Sequence, residues 1–315
     1  MKRAVPPLVT CKWLANEMAS SSKQSLRIID ATWYLPGPKD SSPFTNSNSK
    51  PAKQQFEEKS IPGAVFLDID GIADTKFTEI PVPHNLPSND TFLREVLNLR
   101  SEDHAIVYDQ LGVFSSPRGM YTIQAFGHSK VSVLDGGLPM WMKLGYPTTK
   151  GQIRTNAPSL PSAKKRKTKR HSIQWSIEDV EKNMKSEEFQ VIDMRPAGRY
   201  EGTVKETRAN TRSGHVPKSL NLPFVNLLRN IGDCDVPITL QSKDVILSAF
   251  KKAGVRVDDK IAFMCGSGLT ACIGRLALEH ADLDGDSAPV YDGSWAEYGA
   301  DSLKTKVVVA KVPSC

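Results

Sequence analysis

The segment from Lys260 to Ala271 reads KIAFMCGSGLTA, and it decides the fold class. The four residues before Cys265 form a short apolar run typical of a buried parallel strand, and the residues after Thr270 follow a helical pattern. Backbone N–H groups of the glycine-containing turn between them, with the helix N-terminus, favour a thiolate at Cys265. We predict a nucleophilic cysteine at the carboxyl end of a strand. The alternative is a buried cysteine that only packs.

The same segment argues against two other uses of this cysteine. A cysteine-dependent phosphatase places an arginine six positions after its nucleophile to hold the phosphate, whereas this chain has Ala271 there. Cys265 and Cys272 are seven residues apart, and no histidine stands at ligand spacing. We therefore expect no metal and no other cofactor.

A second copy of this pattern lies in the first half of the chain. Residues 107–109 and 133–137 parallel residues 263–265 and 290–294 with nearly the same spacing. Asp109 stands where the second copy has Cys265. Because a carboxylate cannot act as a thiol nucleophile, we expect only the second copy to be catalytic.

The length of 315 residues is enough for two domains. Short apolar runs alternate with helical patterns, which predicts an α/β fold with a mainly parallel sheet in each copy. We place the first domain at 1–148, a basic linker at 149–171 and the catalytic domain at 172–315. Residues 35–61, rich in Ser, Pro, Lys and Asn, are predicted to form a surface loop.

Individual strands and helices are predicted from the apolar spacing. The strands are Leu26–Asp30, Ala105–Tyr108, Val131–Leu134, Phe189–Asp193, Ile261–Met264 and Pro289–Tyr291. The helices are Arg118–Phe126, Ser176–Lys185, Ser242–Lys252 and Ala271–His280. In open α/β sheets functional sites collect at the carboxyl ends of strands, which is where this prediction places Cys265.

The positive charge of the chain is concentrated in the linker. Residues 164–170 read KKRKTKR and carry six positive charges, and the net formal charge of the whole chain is +6. The remainder is close to neutral, so we expect no nucleic-acid-binding surface. A localisation or polyanion-binding patch is one interpretation of the tract, and a solvated linker is the interpretation we favour.

The sequence also bears on the compartment. No apolar run approaches the roughly 20 residues of a membrane span. The N-terminus has no secretory signal and is only a weak candidate for a mitochondrial presequence. Five cysteines, an odd number, do not suggest a disulfide framework. We expect a cytoplasmic protein, with the mitochondrion as the alternative.

Several motifs together resemble one family. The loop Cys265–Cys272, CGSGLTAC, closely resembles the active-site loop of 3-mercaptopyruvate sulfurtransferases, within the rhodanese superfamily. Matching segments in the second half are FQVIDMR at 189–195, GRYEG at 198–202, SGHVP at 213–217 and YDGSW at 291–295. Those in the first half are DATWY at 30–34, FLDID at 66–70 and FSSPR at 114–118. The resemblance spans roughly residues 26 to 299 and implies two tandem rhodanese-like domains.

The resemblance also implies a reaction in two halves. Cys265 takes sulfur from 3-mercaptopyruvate as a persulfide and releases pyruvate, and a thiol, cyanide or thioredoxin then accepts the outer sulfur. Residues 266–270 would hold the sulfur species through their backbone N–H groups, with Gly266 and Gly268 permitting the close approach. Ser267 and Thr270 would add hydroxyl donors beside Leu269, although Thr270 is equally suited to cap the following helix. The expected partners are a small sulfur donor and a thiol acceptor, and the chain is expected to be a monomer.

Substrate recognition is assigned by the same resemblance. Arg199 and Arg208 match the positions at which the family binds the carboxylate and carbonyl of the substrate, and a guanidinium suits a planar carboxylate. The spacing from Gly202 to Arg208 is that of the family, but both family prolines in this stretch are absent. A surface ion pair is the alternative for each arginine. Arg195 is expected to brace the loop through an acidic neighbour.

An activating set is implied as well. Asp70 and His84 match an aspartate and a histidine that, with Ser267, are proposed to deliver the proton to the leaving group. The alternative is that Asp70 and His84 only stabilise a domain interface.

Two other functions compete with this prediction. A thiosulfate:cyanide sulfurtransferase shares the fold but usually carries Arg and Lys directly after the cysteine, whereas residues 266–268 are uncharged. A rhodanese-like module that relays sulfur or binds a partner belongs to a different class. A purely binding module is expected to lack the nucleophile, and Cys265 is present.

Overall fold

The computed structural model describes residues 5–20, 25–38, 41–46, 50–78, 80, 82–88, 92–93, 97–153, 170–233 and 236–309. The predicted basic tract at 164–170 lies outside these residues, apart from the backbone of Arg170. None of the helices in the described part of the chain is both long and apolar enough to cross a membrane.

The elements alternate between strands and helices in both halves. Those of the first half are β1 (Leu8–Val9), α1 (Cys11–Ala19), β2 (Leu26–Asp30), α2 (Ala52–Glu58), β3 (Val65–Phe66), β4 (His104–Tyr108), α3 (Ser116–Ala125), β5 (Val131–Leu134) and α4 (Gly137–Lys143). Those that follow are α5 (Arg170–Ile173), β6 (Gln174–Trp175), α6 (Ile177–Ser186), β7 (Gln190–Asp193), α7 (Ala197–Glu201), β8 (Leu220–Asn221), a 3-10 helix (Phe224–Leu227), β9 (Leu228–Arg229), β10 (Thr239–Leu240), α8 (Lys243–Lys252), β11 (Ile261–Met264), α9 (Ala271–His280), β12 (Val290–Tyr291) and α10 (Ser294–Tyr298).

Two five-stranded sheets have the same topology. The strand orders are β1-β5-β4-β2-β3 and β6-β12-β11-β7-β8, and all of these pairs are parallel. Asp109 directly follows the central strand β4 and Cys265 directly follows the central strand β11. The predicted α/β fold and the predicted equivalence of these two positions are therefore confirmed.

Each sheet has its own apolar core. In the first half, Trp141 and Tyr108 are fully buried in a cluster with Leu14, Ile28 and Leu134. In the second half, the corresponding cluster is Val180, Val191, Met264, Tyr291 and Trp295. The central strands are buried along their whole length, which explains the apolar runs at Ala105–Tyr108 and Ile261–Met264.

The predicted long strands and helices are present with small shifts of their ends. The first predicted helix begins at Ser116 rather than Arg118, and the predicted strands at 189 and 289 each begin one residue later. The prediction of a loop at 35–61 is wrong in part, because this segment contains helix α2. Phe56 and Ile61 are fully buried, and these two apolar contacts give an otherwise polar segment a packed face.

The chain divides into two compact units that do not follow a single cut. The first unit is Met1–Ile72, Asn89–Lys169 and Leu228–Leu240, and the second is Ala73–Ser88, Arg170–Leu227 and Gln241–Cys315. Two segments are thus exchanged: residues 73–88 pack with the second unit, and residues 228–240 pack with the first. The exchange was not predicted, and the domain limits proposed from the sequence stay a prediction.

Candidate active site

Cys265 lies at the carboxyl end of the central strand of the second unit. Its neighbours in the sheet, β7 and β12, end beside it at Asp193 and Tyr291. The side chain is 2% exposed, and helix α9 begins six residues further on at Ala271. This is the edge of a parallel sheet at which open α/β proteins bind their ligands.

Helix α10 fixes the backbone on both sides of Cys265. The carbonyl of Cys265 accepts a hydrogen bond from the N–H of Trp295 at 3.0 Å, and the carbonyl of Gly266 accepts one from Ala296 at 2.9 Å. The N–H of Cys265 donates to Oγ of Ser294 at 3.1 Å. Ser294 has a φ of 50°, in the left-handed region, so its backbone conformation is one that few side chains adopt. Cys265 therefore lies on a firmly held turn.

The turn that follows Cys265 presents unused backbone donors. Among the residues that the structure describes, no acceptor is bound by the N–H groups of Gly266, Ser267, Leu269 or Thr270. Gly268 has a φ of 77°, a conformation that glycine adopts without strain. Thr270 occupies the N-cap position of α9, but its side chain makes no capping hydrogen bond. The capping role considered for Thr270 is therefore not observed.

The equivalent turn of the first unit shows what such donors bind. The carboxylate of Asp109, which is fully buried, accepts hydrogen bonds of 2.8–3.0 Å from five backbone N–H groups. The donors are Leu111, Gly112, Phe114, Ser115 and Ser116. The hydroxyl of Ser116 adds a sixth bond at 2.7 Å. The turn after the central strand of the first unit is thus a cradle for an anion, and the chain supplies the carboxylate that fills it.

Two guanidinium groups lie beside the Cys265 turn. A Cβ atom placed on Gly266 would be 3.6 Å from Nη2 of Arg199 and 3.6 Å from Nη1 of Arg208. Both contacts are ordinary van der Waals distances, so the two arginines closely cover the residue after the cysteine. The structure therefore places Arg199 and Arg208 beside Gly266, the residue that follows Cys265.

A buried ion-pair network holds Arg199 in place. Oε2 of Glu206 accepts a hydrogen bond from Nε of Arg199 at 3.1 Å and a second one from Nη2 of Arg199. Its other oxygen accepts from Arg195 at 2.8 Å. Arg195 also pairs with Asp193 and lies 4.2 Å from the ring centroid of Trp295. The prediction that Arg195 braces the site through an acidic neighbour is confirmed.

Arg208 has a different environment from Arg199. Within the described part of the chain it makes no hydrogen bond or ion pair. Burial lowers the pKa of Arg208, and the nearby charge of Arg199 lowers it further, whereas the charge of Cys265 raises it. A partly buried cation that makes no ion pair within the described residues is suited to bind a negatively charged ligand.

A cavity of about 490 Å³ adjoins these residues in the second unit. Its wall includes Arg208 and Ala296, the residue whose N–H holds the carbonyl of Gly266. Ile80 lines it from the exchanged segment, and Asn210 and Thr211 add polar groups. The volume lies in the range of small-molecule sites.

The residues of the predicted activating set are placed differently from one another. His84 is 1% exposed, has a φ of 73° and belongs to the second unit through the exchanged segment, as does Ser267. Asp70 belongs to the first unit, where its carboxylate accepts a hydrogen bond from Nε1 of Trp33 at 2.9 Å. The joint action of Asp70, His84 and Ser267 stays a prediction.

Comparisons with known proteins identify the family of this chain. The family model described as the rhodanese-like domain matches the chain twice, at residues 11–144 and 176–301, which is well over half of its length. The chain belongs to the rhodanese family. The 3-mercaptopyruvate sulfurtransferase of Mus musculus is 35% identical over 299 residues, with 92% of this chain and 91% of the relative covered.

Two further proteins extend this placement within the rhodanese family. The thiosulfate sulfurtransferase of Gallus gallus is also 35% identical, over 296 residues, with 92% of each chain covered. The crystal structure of SseA from Escherichia coli matches at a TM-score of 0.71 and 32% identity, covering 93% of this chain and 100% of that chain. This rhodanese-family chain is therefore a sulfurtransferase, an enzyme of the transferase class. The relatives named for 3-mercaptopyruvate and for thiosulfate are equally similar to this chain, so overall identity does not show which of the two is its sulfur donor.

Some residues of this rhodanese site were not singled out from the sequence. Glu206 lies between Gly202 and Arg208, and only the three-dimensional structure shows that it joins Arg195 to Arg199. Ser294 lies inside the segment YDGSW, which is one of the motifs that carry the family resemblance. That motif is the sequence feature from which a role for Ser294 could have been predicted.

The other cysteines of the described chain have structural settings. Cys11, Cys265 and Cys272 are free and buried. Cys272 is 1% exposed and donates to the carbonyl of Gly268 at 3.4 Å, so it is a buried packing residue. Burial and the neighbouring Asp135 raise the pKa of Cys11 to about 12, so this thiol is unreactive at neutral pH. No group of three or more His, Cys, Asp or Glu among the described residues is arranged to hold a metal ion.

Proposed function

We propose that this sulfurtransferase takes sulfur from 3-mercaptopyruvate through a persulfide on Cys265 and passes it to a thiol acceptor. The observation that carries the proposal is the pair of guanidinium groups, Arg199 and Arg208, beside an uncharged turn. The carboxylate of 3-mercaptopyruvate is separated from its sulfur by two carbon atoms. The guanidinium groups can therefore bind the carboxylate while the sulfur reaches Cys265.

The first half-reaction forms the persulfide. The Cys265 thiolate attacks the sulfur of the donor, an S–S bond forms, and the C–S bond breaks with its electron pair going to the carbon as the enolate of pyruvate. Protonation of the enolate gives pyruvate, and we assign this proton delivery to the set of Ser267, His84 and Asp70. The N–H groups of the turn bind the sulfur species, as those of the first unit bind the carboxylate of Asp109.

The second half-reaction discharges the enzyme. An acceptor thiolate attacks the outer sulfur of the persulfide, so the acceptor becomes a persulfide and Cys265 returns to a thiolate. Cyanide or the thiol of a thioredoxin can take the same sulfur. The identity of the physiological acceptor, the monomeric state and the compartment stay predictions from the sequence.

The proposal is tested by the products and by mass. The native protein should release pyruvate from 3-mercaptopyruvate and gain one sulfur atom in intact-mass analysis, and Cys265→Ser should do neither because the nucleophile is lost. Cys272→Ser is the matched control and should keep both activities. Thiosulfate should be used at least about a hundredfold less efficiently in kcat/KM, a difference of about 2.7 kcal/mol. Equal use of both donors, or an added sulfur on Cys272, would overturn the proposal.

A further inference from the structure

Equivalent aspartates in the two units each hold a leucine of an exchanged segment. In the second unit, the N–H of Leu86 donates to Oδ2 of Asp292 at 2.6 Å. In the first unit, the N–H of Leu240 donates to Oδ1 of Asp135 at 3.0 Å. Asp292 follows β12 and Asp135 follows β5, which occupy the same place in the two sheets. The contact is therefore a repeated feature of the fold.

The partners of Asp292 make this anchor strong. The same oxygen that accepts from Leu86 also accepts from Nε2 of Gln174 at 2.7 Å, and Asp292 is fully buried. Hydrogen bonds to a charged acceptor are stronger than neutral ones, particularly away from water. Asp292 thus ties the segment 73–88 to the edge of the sheet at which Cys265 lies.

The anchored segments both line cavities. In the second unit, Ile80 lines the 490 Å³ cavity together with Arg208. In the first unit, Ile238 lines a cavity of about 830 Å³ together with Gln110 and Leu111 of the Asp109 turn. In each unit an exchanged segment therefore supplies part of the cavity wall, and the aspartate fixes that segment.

The segment in the second unit has little freedom between its anchor and the cavity. The amide nitrogen of Asn85 donates to Oγ1 of Thr78 and to the carbonyl of Asp74, both at 3.2 Å. His84 is buried with a φ of 73°, a conformation that persists only where the surroundings fix it. A shift of Leu86 would therefore be passed on to His84 and to the cavity wall.

We propose that Asp292 is a positioning residue for the sulfur-donor half-reaction. It fixes the segment 73–88 so that Ile80 and His84 keep their places beside the donor. Asp135 makes the equivalent contact in the first unit and takes no part in the reaction. This inference rests on the proposed function, because it assigns the positioned residues to the binding and protonation of the donor.

The test separates the two half-reactions. In Asp292→Ala, the rate of pyruvate release in a single turnover with 3-mercaptopyruvate should fall by at least about tenfold. The rate at which a preformed persulfide transfers its outer sulfur to cyanide should stay within about twofold of the native rate, because cyanide is small and has no carboxylate to position. Asp292→Asn keeps an oxygen acceptor for Leu86 and should retain most of the donor rate. Hydrogen exchange at the Leu86 amide should become faster in Asp292→Ala.

Asp135→Ala is the matched control. It removes the same kind of contact from the first unit, so exchange at the Leu240 amide should become faster while both half-reactions stay within about twofold of native. The proposal would be overturned if Asp292→Ala released pyruvate at the native rate although the Leu86 amide exchanged faster. It would also be overturned if the rates of both half-reactions fell by the same factor. If Asp292→Ala does not fold, Gln174→Ala takes its place, because it removes one hydrogen-bond donor to Oδ2 of Asp292. The proposal then requires that Gln174→Ala slow pyruvate release and leave the transfer of sulfur to cyanide unchanged. A native enzyme that forms no persulfide would instead refute the proposed function.

Discussion

Arg199 and Arg208 approach the same point of the Cys265 turn, each with one guanidinium nitrogen 3.6 Å from where a Cβ atom of Gly266 would lie. Two like charges so close repel each other, and among the described residues only one of the two has a direct ion-pair partner. Glu206 pairs with Arg199, whereas Arg208 has no ion pair with any described residue. Arg208 is therefore the guanidinium that we expect to pair with the carboxylate of the proposed donor, and Glu206 sets the orientation of the other guanidinium.

Substitution of Arg199 should weaken donor use. Arg199→Ala should lower kcat/KM for 3-mercaptopyruvate by about ten- to a hundredfold, or roughly 1.5–3 kcal/mol, mainly through KM. Arg199→Lys should lose less, because it keeps the charge without the paired donors. Steady-state pyruvate release measures both. Arg256→Ala, at an exposed arginine of the same unit, is the control, and native kinetics in Arg199→Ala would place this residue outside the substrate site.

The sequence predicts the architecture because the central strands carry their own signal. The strands β4 and β11 are buried on both faces, so they are apolar except for His104 at the start of β4, and they end abruptly at Asp109 and Cys265. The edge strands β1 and β6 have only two residues each, which is too short for a periodic pattern. Their existence depends on pairing with β5 and β12, and it is a tertiary effect.

The site is predicted only as far as local motifs reach. The turn at Cys265 and the positions of Arg199 and Arg208 follow from motifs, and the structure brings them together. The Glu206 bridge and the Asp292–Leu86 contact join residues that no local spacing connects. The exchange of segments 73–88 and 228–240 is likewise invisible to a pattern read along the chain.

A change of charge in the turn should exchange donor preference. The φ of Gly266 is outside the left-handed region, and the atoms nearest to a Cβ atom there are guanidinium nitrogens of Arg199 and Arg208 at 3.6 Å or more, so a side chain fits. The double variant Gly266→Arg with Ser267→Lys should raise kcat/KM for thiosulfate, because its compact dianion needs charge close to the sulfur. It should lower kcat/KM for 3-mercaptopyruvate by adding repulsion to Arg199 and Arg208.

The measurement compares initial rates with both donors and cyanide as the acceptor. Gly266→Ala is the uncharged control and should leave the preference between donors unchanged. A double variant that gains no thiosulfate activity, although it folds, would show that charge in the turn does not select the donor.

Asp30 should give the first unit a pH-dependent stability. Burial raises the pKa of Asp30 from 3.8 to about 6, although Thr32 and Gln110 donate hydrogen bonds to it. Between these two values the folded protein binds a proton that the unfolded chain has released, so the free energy of unfolding falls as pH rises from about 4 to about 6. Above this window the loss is constant, on the order of 3 kcal/mol at most.

The variant Asp30→Asn removes this titration. Its stability relative to native should rise across the same window and level off above about pH 6, as urea unfolding at a series of pH values can show. Asp258→Asn, at an exposed carboxylate, is the control. A difference between native and Asp30→Asn that does not vary with pH would contradict the prediction.

Removal of the Asp109 carboxylate should leave the turn after β4 able to bind an anion from solution. In Asp109→Ala, five backbone N–H groups and the hydroxyl of Ser116 lose their acceptor in a fully buried place. The expected loss is roughly 3 kcal/mol of unfolding free energy, because buried donors without acceptors are costly. Sulfate should restore part of it by binding to the same donors, whereas chloride at equal ionic strength should restore less. Thermal unfolding of variant and native protein side by side corrects for the general stabilisation by sulfate. If the two respond equally to sulfate, the turn does not bind anions on its own, and the cradle assigned to residues 266–270 around the Cys265 persulfide loses its closest parallel.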